Sequence, residues 1–388
     1  MKNESPTTGK PTHQTPTHTI DEAIANRRIL ITCGTGGVGK TTLSAAIAIR
    51  AALLGKRTVV VTIDPAKRLA NSLGLMTLSD QATDLTPLIR KAYQNYKPAP
   101  KTSQSFGEIT SPPEMGGTLA AIVPDTRRTF ENFVRELAPS SDTAERVMQN
   151  PIFQIFAKEF SGTNEYMALE RLLALYKQEA YDCIILDTPP SRNTLAFLNA
   201  PRLLAQFFDE KIIRWLILPA NKWVSAGVKK TLGLLESLTG AGFMSQLFDF
   251  AAALFDVQVN FSKNLKKITT LLESPEVGFL MVTTPTPETA PEVNHFIETL
   301  HQHRFHFDGI ALNRTVSYLK SNGTPHPGYE EAFSIMHALQ IREQSVIDNL
   351  MRNPLPLCAK LPELARDVHS VEDLFHVAMA LNTDHPSF

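Results

Sequence analysis

Cysteine is scarce in this 388-residue sequence, which contains only Cys33, Cys183 and Cys358, far apart from one another. Because the sequence has no C-x-x-C pair, it predicts no disulfide scaffold, no zinc site and no iron–sulfur cluster. Each cysteine lies in or beside an apolar run that is typical of a strand, so we expect three small buried thiols. This use of cysteine is also typical of a reducing compartment.

The sequence also lacks an excess of charge of either sign and lacks long apolar runs. Lys plus Arg number 38 and Asp plus Glu 39, so the net charge of -1 provides no general attraction to nucleic acid or anionic lipid. No segment reaches the ~18 apolar residues that a membrane-spanning helix needs. The Pro/Thr/His-rich residues 1–19 contain no apolar stretch for a signal peptide. We expect a cytoplasmic protein, not an integral membrane protein, that binds no nucleic acid and begins with a disordered tail.

Short apolar runs alternate with stretches of helical spacing through the rest of the chain. The runs with the length and composition of buried strands are 27–34, 57–64, 117–124, 181–189, 277–285, 308–314 and 354–361. Helical spacing is clearest at 38–54, 291–303 and 370–382. This alternation predicts an α/β fold with a doubly wound, mostly parallel sheet, formed by a single domain over residues 20–388. Two largely helical intervals, at about 125–180 and 200–275, predict one helical subdomain inserted into the sheet domain.

A glycine-rich segment, GTGGVGKT, fits the phosphate-loop pattern G-x-x-x-x-G-K-[S/T] between a predicted strand and a predicted helix. Its glycines allow backbone N–H groups to point at phosphates, Lys40 would reach the β- and γ-phosphates, and Thr41 would bind Mg²⁺. A glycine-rich turn that arose by chance is a poor alternative in this context. The residues predicted to bind the nucleotide phosphates are Gly34, Thr35, Gly36, Gly37, Val38, Gly39, Lys40, Thr41 and Thr42.

Two aspartates follow neighbouring predicted strands. Asp64 follows the run at 57–63, and Asp187 follows the run at 182–186. Ligands of open parallel sheets bind at the carboxyl ends of the strands, so we expect both carboxylates to face the phosphates. One would position the attacking water and the other would belong to the Mg²⁺ shell. The alternative for each aspartate is a helix N-cap.

Five segments together resemble a known family: GTGGVGKTT at 34–42, DPA at 64–66, DTPPSRNTLAFL at 187–198, ALNRT at 311–315 and PLCAKLPEL at 356–364. In this order, over about residues 27–382, they resemble the arsenite-transporting and tail-anchored-protein-targeting ATPases, P-loop ATPases with a deviant phosphate loop. The resemblance implies an ATP- and Mg²⁺-dependent dimer in which two subunits face each other across two nucleotides. It also implies that Lys40 and Asp64 are catalytic and that Asp187 opens the second switch. Asn313 would hydrogen-bond adenine and Pro362 would cover the base.

Thr35 departs from the family loop, G-K-G-G-V-G-K-T, whose first lysine reaches across the dimer to the partner's phosphates. A threonine is uncharged and too short to cross, and by analogy with arginine fingers its loss costs on the order of 10³-fold in rate. Two interpretations follow. In the first, the chain forms a homodimer that hydrolyses ATP slowly. In the second, it forms a heterodimer with a related ATPase that keeps the lysine, and this chain binds nucleotide with little hydrolysis of its own. The second switch, which begins at Asp187, also differs from the family sequence: Arg192 and Asn193 stand where the family has glycine and histidine.

A wide apolar arc runs along residues 243–261, FMSQLFDFAAALFDVQVNF. Such an arc is broader than packing against one neighbour requires. In the targeting branch of the family, helices of this region form a groove for a client's membrane helix. The residues predicted to line such a groove for a hydrophobic or protein client are Phe243, Leu247, Phe250 and Leu254. The alternative is that these helices bury one another.

Overall fold

The structure of the chain is a computed structural model. It describes residues 19–63, 69–70, 73, 80–96, 116–151, 154, 163–188, 199–201, 205, 243–316, 328–352, 355–364 and 367–381. The predicted disordered tail lies outside these residues, apart from its last residue. Thr19 is the N-cap of the first helix and forms a capping box with Glu22.

One sheet of eight strands runs through the described part of the chain. The strands are β1 (Ile29–Cys33), β2 (Arg57–Thr62), β3 (Thr83–Asp84), β4 (Thr118–Ile122), β5 (Cys183–Asp187), β6 (Val277–Thr283), β7 (His306–Thr315) and β8 (Leu357–Pro362). Their order is β3-β4-β2-β5-β1-β6-β7-β8, and only the two-residue edge strand β3 is antiparallel to its neighbour. The predicted α/β fold with a mostly parallel sheet is therefore confirmed, with strands at all the predicted runs.

The described helices connect and cover these strands. They are α1 (Ile20–Asn26), α2 (Lys40–Leu53), α3 (Thr86–Asn95), α4 (Thr126–Leu137), α5 (Ser141–Gln149), α6 (Thr163–Gln178), α7 (Phe243–Leu272), α8 (Thr289–Gln302), α9 (Glu330–Arg352) and α10 (Val371–Ala380). Helices α1, α3 and α9 have no counterpart among the predicted helical stretches. Within the described segments, no helix is both long and apolar enough to cross a bilayer.

Both faces of the sheet are buried, which explains why its strands are continuously apolar. Successive residues of β1 point to opposite faces: Leu30 packs into one core with α1, α2, α3 and α10, whereas Ile29 and Ile31 belong to a second core. The second core contains α4 to α9. All five residues of β1 are buried, so the strand that leads into the glycine-rich loop lies at the centre of the molecule.

Helices α4, α5, α6 and α7 pack against one another on one side of the sheet. Their common centre is aromatic, with the rings of Phe133, Tyr166 and Phe261 between 5.4 and 5.9 Å apart. Asn260 of α7 also donates to the carbonyl of Leu137 at the end of α4. These contacts agree with a helical insertion. Its predicted extent stays a prediction, because residues 206–242 lie outside the described part.

Phe250 is buried in this core, where it is 3% exposed, beside the equally buried Val257 and Phe261. The prediction that Phe250 lines an open groove is therefore corrected: helical spacing brings it onto the face of α7 that packs inward. The side chains of the other three groove candidates, Phe243, Leu247 and Leu254, lie outside what the structure describes. Among the side chains of α7 that the structure describes, the large apolar ones that are exposed are Phe255, at 41%, and Val259, at 60%.

Candidate functional site

The glycine-rich loop lies at the point where the sheet changes direction. Strand β1 pairs with β5 on one side and with β6 on the other, and the chain leaves β1 for β2, beyond β5. In open parallel sheets this switch point opens a crevice at the carboxyl ends of the strands. Residues 34–39 cross that crevice and connect β1 to α2.

Gly39 is the N-cap of α2 and has the left-handed backbone angle φ +90°. A Cβ at this position would also collide with Nδ2 of Asn313, so glycine is required by both the backbone angle and the space. No side chain caps this end of the helix. The N–H groups of the first turn, from Lys40 to Thr42, therefore remain directed outward, as an anion site needs.

Lys40 lies along the loop rather than in solvent. Its side chain is only 5% exposed, and Nζ donates a hydrogen bond to the carbonyl oxygen of Thr35 at 2.8 Å. Gly36 and Gly37, at the tip of the loop, are exposed, whereas Thr35 is half-buried. The ammonium group is thus held where the loop would surround a phosphate, and a phosphate oxygen would compete with the Thr35 carbonyl.

Asp187 ends β5 with a fully buried carboxylate, directly beside the first turns of α2. Oδ2 accepts a hydrogen bond from the hydroxyl of Thr62 at 2.8 Å, and Oδ1 lies 3.4 Å from the hydroxyl of Ser44. Ser44 in turn is 2.7 Å from the hydroxyl of Thr32 and donates to the carbonyl of Lys40. These hydroxyl groups therefore connect the Asp187 carboxylate to β1, which precedes the glycine-rich loop, and to α2, which follows it. Sequence reasoning found Asp187 but missed Thr32, Ser44 and Thr62.

Cys33 lies at the start of the loop, and its thiol stays protonated. Burial raises the pKa of its thiol to about 12, against the opposing effects of Lys40 and of a hydrogen bond with Thr188. All three cysteines are free and buried, which confirms the prediction of small buried thiols. The thiol of Cys33 is therefore neutral at ordinary pH.

A cavity of about 410 Å³ opens beside the loop helix. The predicted residues Gly39, Thr42, Asn313 and Pro362 line it together, although they come from three distant parts of the chain. Its outer wall is formed by residues that the sequence did not suggest: Asp367, Val368, Asp373, His376, Val377 and Ala380. Most of these belong to α10, whose polar side chains look like an ordinary exposed helix face in the sequence.

The amide of Asn313 has a defined orientation in this cavity. Nδ2 donates to the carbonyl oxygen of Val38 in the loop at 2.9 Å, which only the nitrogen end of the amide can do. Oδ1 is consequently the end that remains for a hydrogen-bond donor such as the amino group of adenine. The hydrogen bond from Asn313 to Val38 thus joins the wall of the cavity to the glycine-rich loop.

Some predicted residues lie outside the described part of the chain. These include Asp64, the proposed catalytic aspartate, and the second-switch residues Arg192 and Asn193. Among the described residues, no group of three or more His, Cys, Asp or Glu side chains is arranged to hold a metal ion. Those roles stay predictions from the sequence.

The described residues fit a magnesium nucleotide. The uncapped N-terminus of α2 and the buried ammonium of Lys40 suit phosphate oxygens, and the cavity beside Asn313 has room for a nucleoside. Asp187 supplies a buried carboxylate next to the helix turn that carries Thr41, which is the kind of oxygen donor that surrounds Mg²⁺ at phosphate sites.

The sequence matches the family described as Anion-transporting ATPase over residues 27–89 and 98–382. It is 29% identical over 181 residues to ATPase ASNA1 homolog 2 of Paramecium tetraurelia, covering 46% of each chain. It is 26% identical over 187 residues to ATPase get3 of Aspergillus terreus, covering 47% of this chain and 46% of that protein. A Putative arsenical pump-driving ATPase 2 of Aquifex aeolicus is 22% identical over 296 residues, which is 74% of this chain and 80% of that protein.

The matches differ in their extent. In the ASNA1 and get3 relatives, the matched segment spans about half the length of each protein. The family match is broader and covers the glycine-rich loop, the strands that carry Asp187 and Asn313, and α7 to α10.

Proposed function

The chain belongs to the anion-transporting ATPase family, and from this membership we propose that it is a Mg²⁺-dependent ATPase. We propose further that it acts as a dimer and couples ATP binding and hydrolysis to the handling of a hydrophobic or protein client in the cytoplasm. The observation that supports ATP hydrolysis most directly is that Lys40 and Asp187 converge on the loop, next to a cavity that would take the nucleoside.

At such a site, each of the residues described above would have a separate role in binding or hydrolysing ATP. On nucleotide binding, Lys40 would exchange its bond with the Thr35 carbonyl for bonds to the β- and γ-phosphates. The first-turn N–H groups of α2 would bind phosphate oxygens, and Asn313 would accept from the adenine amino group. Asp187, held by Thr62, would orient water in the shell of the metal bound by Thr41. A bound Mg²⁺ supplies positive charge against the phosphate oxygens. Asp64 would polarise the attacking water.

Thr35 makes the rate of hydrolysis depend on the second subunit. It is uncharged, and its carbonyl is already engaged by Lys40 of the same chain. The exposed Gly36 and Gly37 leave this part of the loop open to a facing subunit. A homodimer would have no lysine reaching across, whereas a related ATPase that keeps the lysine would provide one. The second candidate function is therefore a nucleotide-binding regulatory subunit of a heterodimer, with little hydrolysis of its own.

Client handling is supported by the family resemblance and by the exposed apolar residues of α7. Because Phe250 is buried, the client surface that we propose is centred on Phe255 and Val259. Phe255→Asp together with Val259→Asp should weaken capture of a hydrophobic helical peptide without changing ATP affinity. An unchanged peptide affinity would exclude this face.

One experiment tests the ATPase and separates the two candidates. The purified chain should be assayed for phosphate release with ATP, with Mg²⁺ and with EDTA, and its mass should be measured with ATP present. We expect slow Mg²⁺-dependent release that Lys40→Ala abolishes, with the exposed Lys91→Ala as the matched control. Thr35→Lys should raise the rate by on the order of 10³-fold if a lysine across the dimer is what is missing.

The outcomes are distinct. Fast turnover by the wild-type homodimer would exclude the regulatory-subunit candidate. Absence of nucleotide binding at millimolar ATP, with the protein folded, would contradict the proposed function as a whole.

A further inference from the structure

Strand β7 is irregular at the point where it lines the nucleoside cavity. Between Leu312 and Thr315 the strand advances by three residues, whereas the paired segment of β8 advances by only two. The additional residue makes a β-bulge at Asn313 and Arg314, which we call the β7 bulge. Bulges bend a strand and change the direction of the side chains they contain, and they are frequent beside active sites.

The β7 bulge contains a backbone conformation that is unfavourable for arginine. Arg314 has φ +60°, in the left-handed region, where the Cβ of an L-residue costs free energy. The other described non-glycine residues with positive φ, Glu179 and Arg304, follow the ends of helices, where this conformation is common. Arg314 lies inside a strand instead. Such a conformation persists only where the surrounding contacts impose it.

Glu343 of α9 makes contacts on both sides of the β7 bulge. Its Oε2 accepts a hydrogen bond at 2.5 Å from the backbone N–H of Val316, two residues past Arg314. Its Oε1 lies 3.7 Å from Nζ of Lys360. Lys360 is the register partner of Leu312, which precedes the bulge. One carboxylate therefore bridges the two ends of the irregular segment.

Two further hydrogen bonds hold the chain after the β7 bulge. Gln340 donates to the carbonyl of Val316 at 3.3 Å, and the hydroxyl of Thr315 donates to the carbonyl of Leu361 at 3.0 Å. Both of these bonds act on one side of the bulge, whereas Glu343 contacts both sides.

The position of Glu343 is unfavourable for a charge. Its side chain is 2% exposed, and the desolvation of a buried ion pair offsets much of the attraction between its charges. The ion pair with Lys360 therefore contributes little stability by itself. A carboxylate that fixes the backbone conformation of the β7 bulge accounts for a charged group at this position.

The β7 bulge also decides where the amide of Asn313 lies. Its Nδ2 donates to the carbonyl of Val38 in the glycine-rich loop at 2.9 Å, which leaves Oδ1 as the acceptor for a ligand. Without the additional residue, side chains on one side of this point would turn to the opposite face of the sheet, because strand residues alternate. The position of the amide thus depends on the bulge, and the bulge is held by Glu343.

We propose that Glu343 is a positioning residue of the nucleotide site: it holds the β7 bulge in the form that presents Asn313 to the base, and it thereby sets the preference for a purine with a 6-amino group. This inference rests on the proposed ATPase function and adds to it the residue that makes the base contact selective. Glu343 is not among the described residues that line the cavity, so it acts through Asn313.

The test compares the affinity of the full chain for ADP and for purine riboside diphosphate, which lacks only the 6-amino group, by titration calorimetry with Mg²⁺. We expect the wild type to bind ADP about tenfold more tightly, the contribution of roughly one hydrogen bond. Glu343→Ala should reduce this preference to less than about threefold. Both ligands carry the same phosphates, so a general loss of phosphate binding cancels from the ratio.

Two conservative variants separate the length of the side chain from its charge. Glu343→Gln still presents an oxygen to the N–H of Val316 and should keep the preference. Glu343→Asp keeps the charge beside Lys360 but is one methylene too short for Val316, so it should lose the preference; it also serves if the alanine variant does not fold. The matched control is Asp348→Ala, which removes an exposed carboxylate from the same helix and should keep the preference.

A double-mutant cycle tests whether Glu343 acts through Asn313. Asn313→Ala should abolish the preference by itself, and the addition of Glu343→Ala should then change the affinity for ADP by less than about twofold. Losses of ADP affinity that multiply in the double variant would overturn the inference, because the two residues would then act independently. Circular dichroism shows that each variant is folded.

The inference and the proposed function fail differently. Folded Glu343→Ala and Glu343→Asp variants that keep the wild-type preference would overturn the inference and leave the ATPase. Loss of the preference in Glu343→Gln with retention in Glu343→Asp would overturn it too, because charge and not reach would then matter. A wild type that binds both ligands equally would overturn the inference and the adenine contact of Asn313. A wild type that binds neither would contradict the proposed function, and the inference with it.

Discussion

Glu170 is a buried carboxyl group in the centre of the helices α4, α6 and α7, and its ionisation should control how firmly they pack. It is 9% exposed, and Nδ2 of Asn264 lies 2.6 Å from both of its oxygens. Burial raises the pKa of Glu170 to about 7, against the opposing influence of the Tyr166 hydroxyl and Asn264; Glu136 raises it further and Lys177 lowers it. In an unfolded chain the same group would titrate at its ordinary 4.5.

The direction of the effect follows from this raised pKa. Below pH 4.5 Glu170 is protonated in both the folded and the unfolded state, so its burial does not lower the free energy of unfolding through ionisation. Between pH 4.5 and about 7 Glu170 ionises in the unfolded state but stays protonated in the folded state, so the free energy of unfolding decreases as pH rises. Above about pH 7 Glu170 is ionised in both states, and the free energy of unfolding stays lower by the full cost of burying the charge. At ~1.4 kcal/mol for each pH unit that separates the two pKa values, the cost reaches about 3 kcal/mol.

Glu170→Gln should remove this pH dependence, because a neutral amide can still accept from Asn264. The assay is urea unfolding, followed by circular dichroism, at intervals from about pH 5 to pH 8. We expect the wild type to lose about 2.5 kcal/mol relative to the variant across this range, because part of the cost is already present at pH 5. Glu145→Gln, on the exposed surface of α5, is the matched control and should follow the wild type. A Glu170→Gln profile that falls as steeply as the wild type would refute the reasoning.

Three further perturbations follow from the site and the core. Gly39→Ala should weaken ATP binding by roughly tenfold, measured by fluorescent-nucleotide titration, since Cβ strains a backbone at φ +90° and displaces Asn313. Asp187→Asn should lower the ATPase rate by at least ~100-fold while nucleotide affinity in EDTA stays nearly constant; a matching loss of EDTA affinity would contradict its assignment to the metal shell. Arg27→Ala should destabilise the protein in urea by about 3–5 kcal/mol, because it leaves the 1%-exposed Asp308 without the guanidinium that lies 2.6 Å away.

The sheet was predictable from the sequence because buried parallel strands are apolar at every position. The runs around β1, β2, β5, β6 and β7 all needed this composition to be covered on both faces. The glycine-rich loop was predictable for a related reason: its pattern depends on a backbone that only glycine adopts freely, and Gly39 shows that requirement directly.

The parts that could not be predicted depend on side chains that look ordinary in the sequence. Thr32, Ser44 and Thr62 are common polar residues. Strand register places Thr32 and Thr62 beside Asp187, and Ser44 reaches the carboxylate from the helix α2. His376 and Asp373 are spaced like any exposed helix face, and only the packing of α10 against α2 brings them to the cavity. The apolar periodicity around Phe250 is the same for a core helix and for an open groove, so periodicity alone did not distinguish the two.

By itself, the sequence determined the family, the mostly parallel α/β sheet, the position of the phosphate loop and the missing charge at Thr35. These properties depend on local pattern, on backbone conformations that few residues allow, and on the chemical type of a single side chain. The tertiary structure decided that Asn313 donates through Nδ2 to the Val38 carbonyl of the loop and that Phe250 faces the core. Those properties depend on which distant segments meet, and contacts between distant segments exist only once the chain has folded.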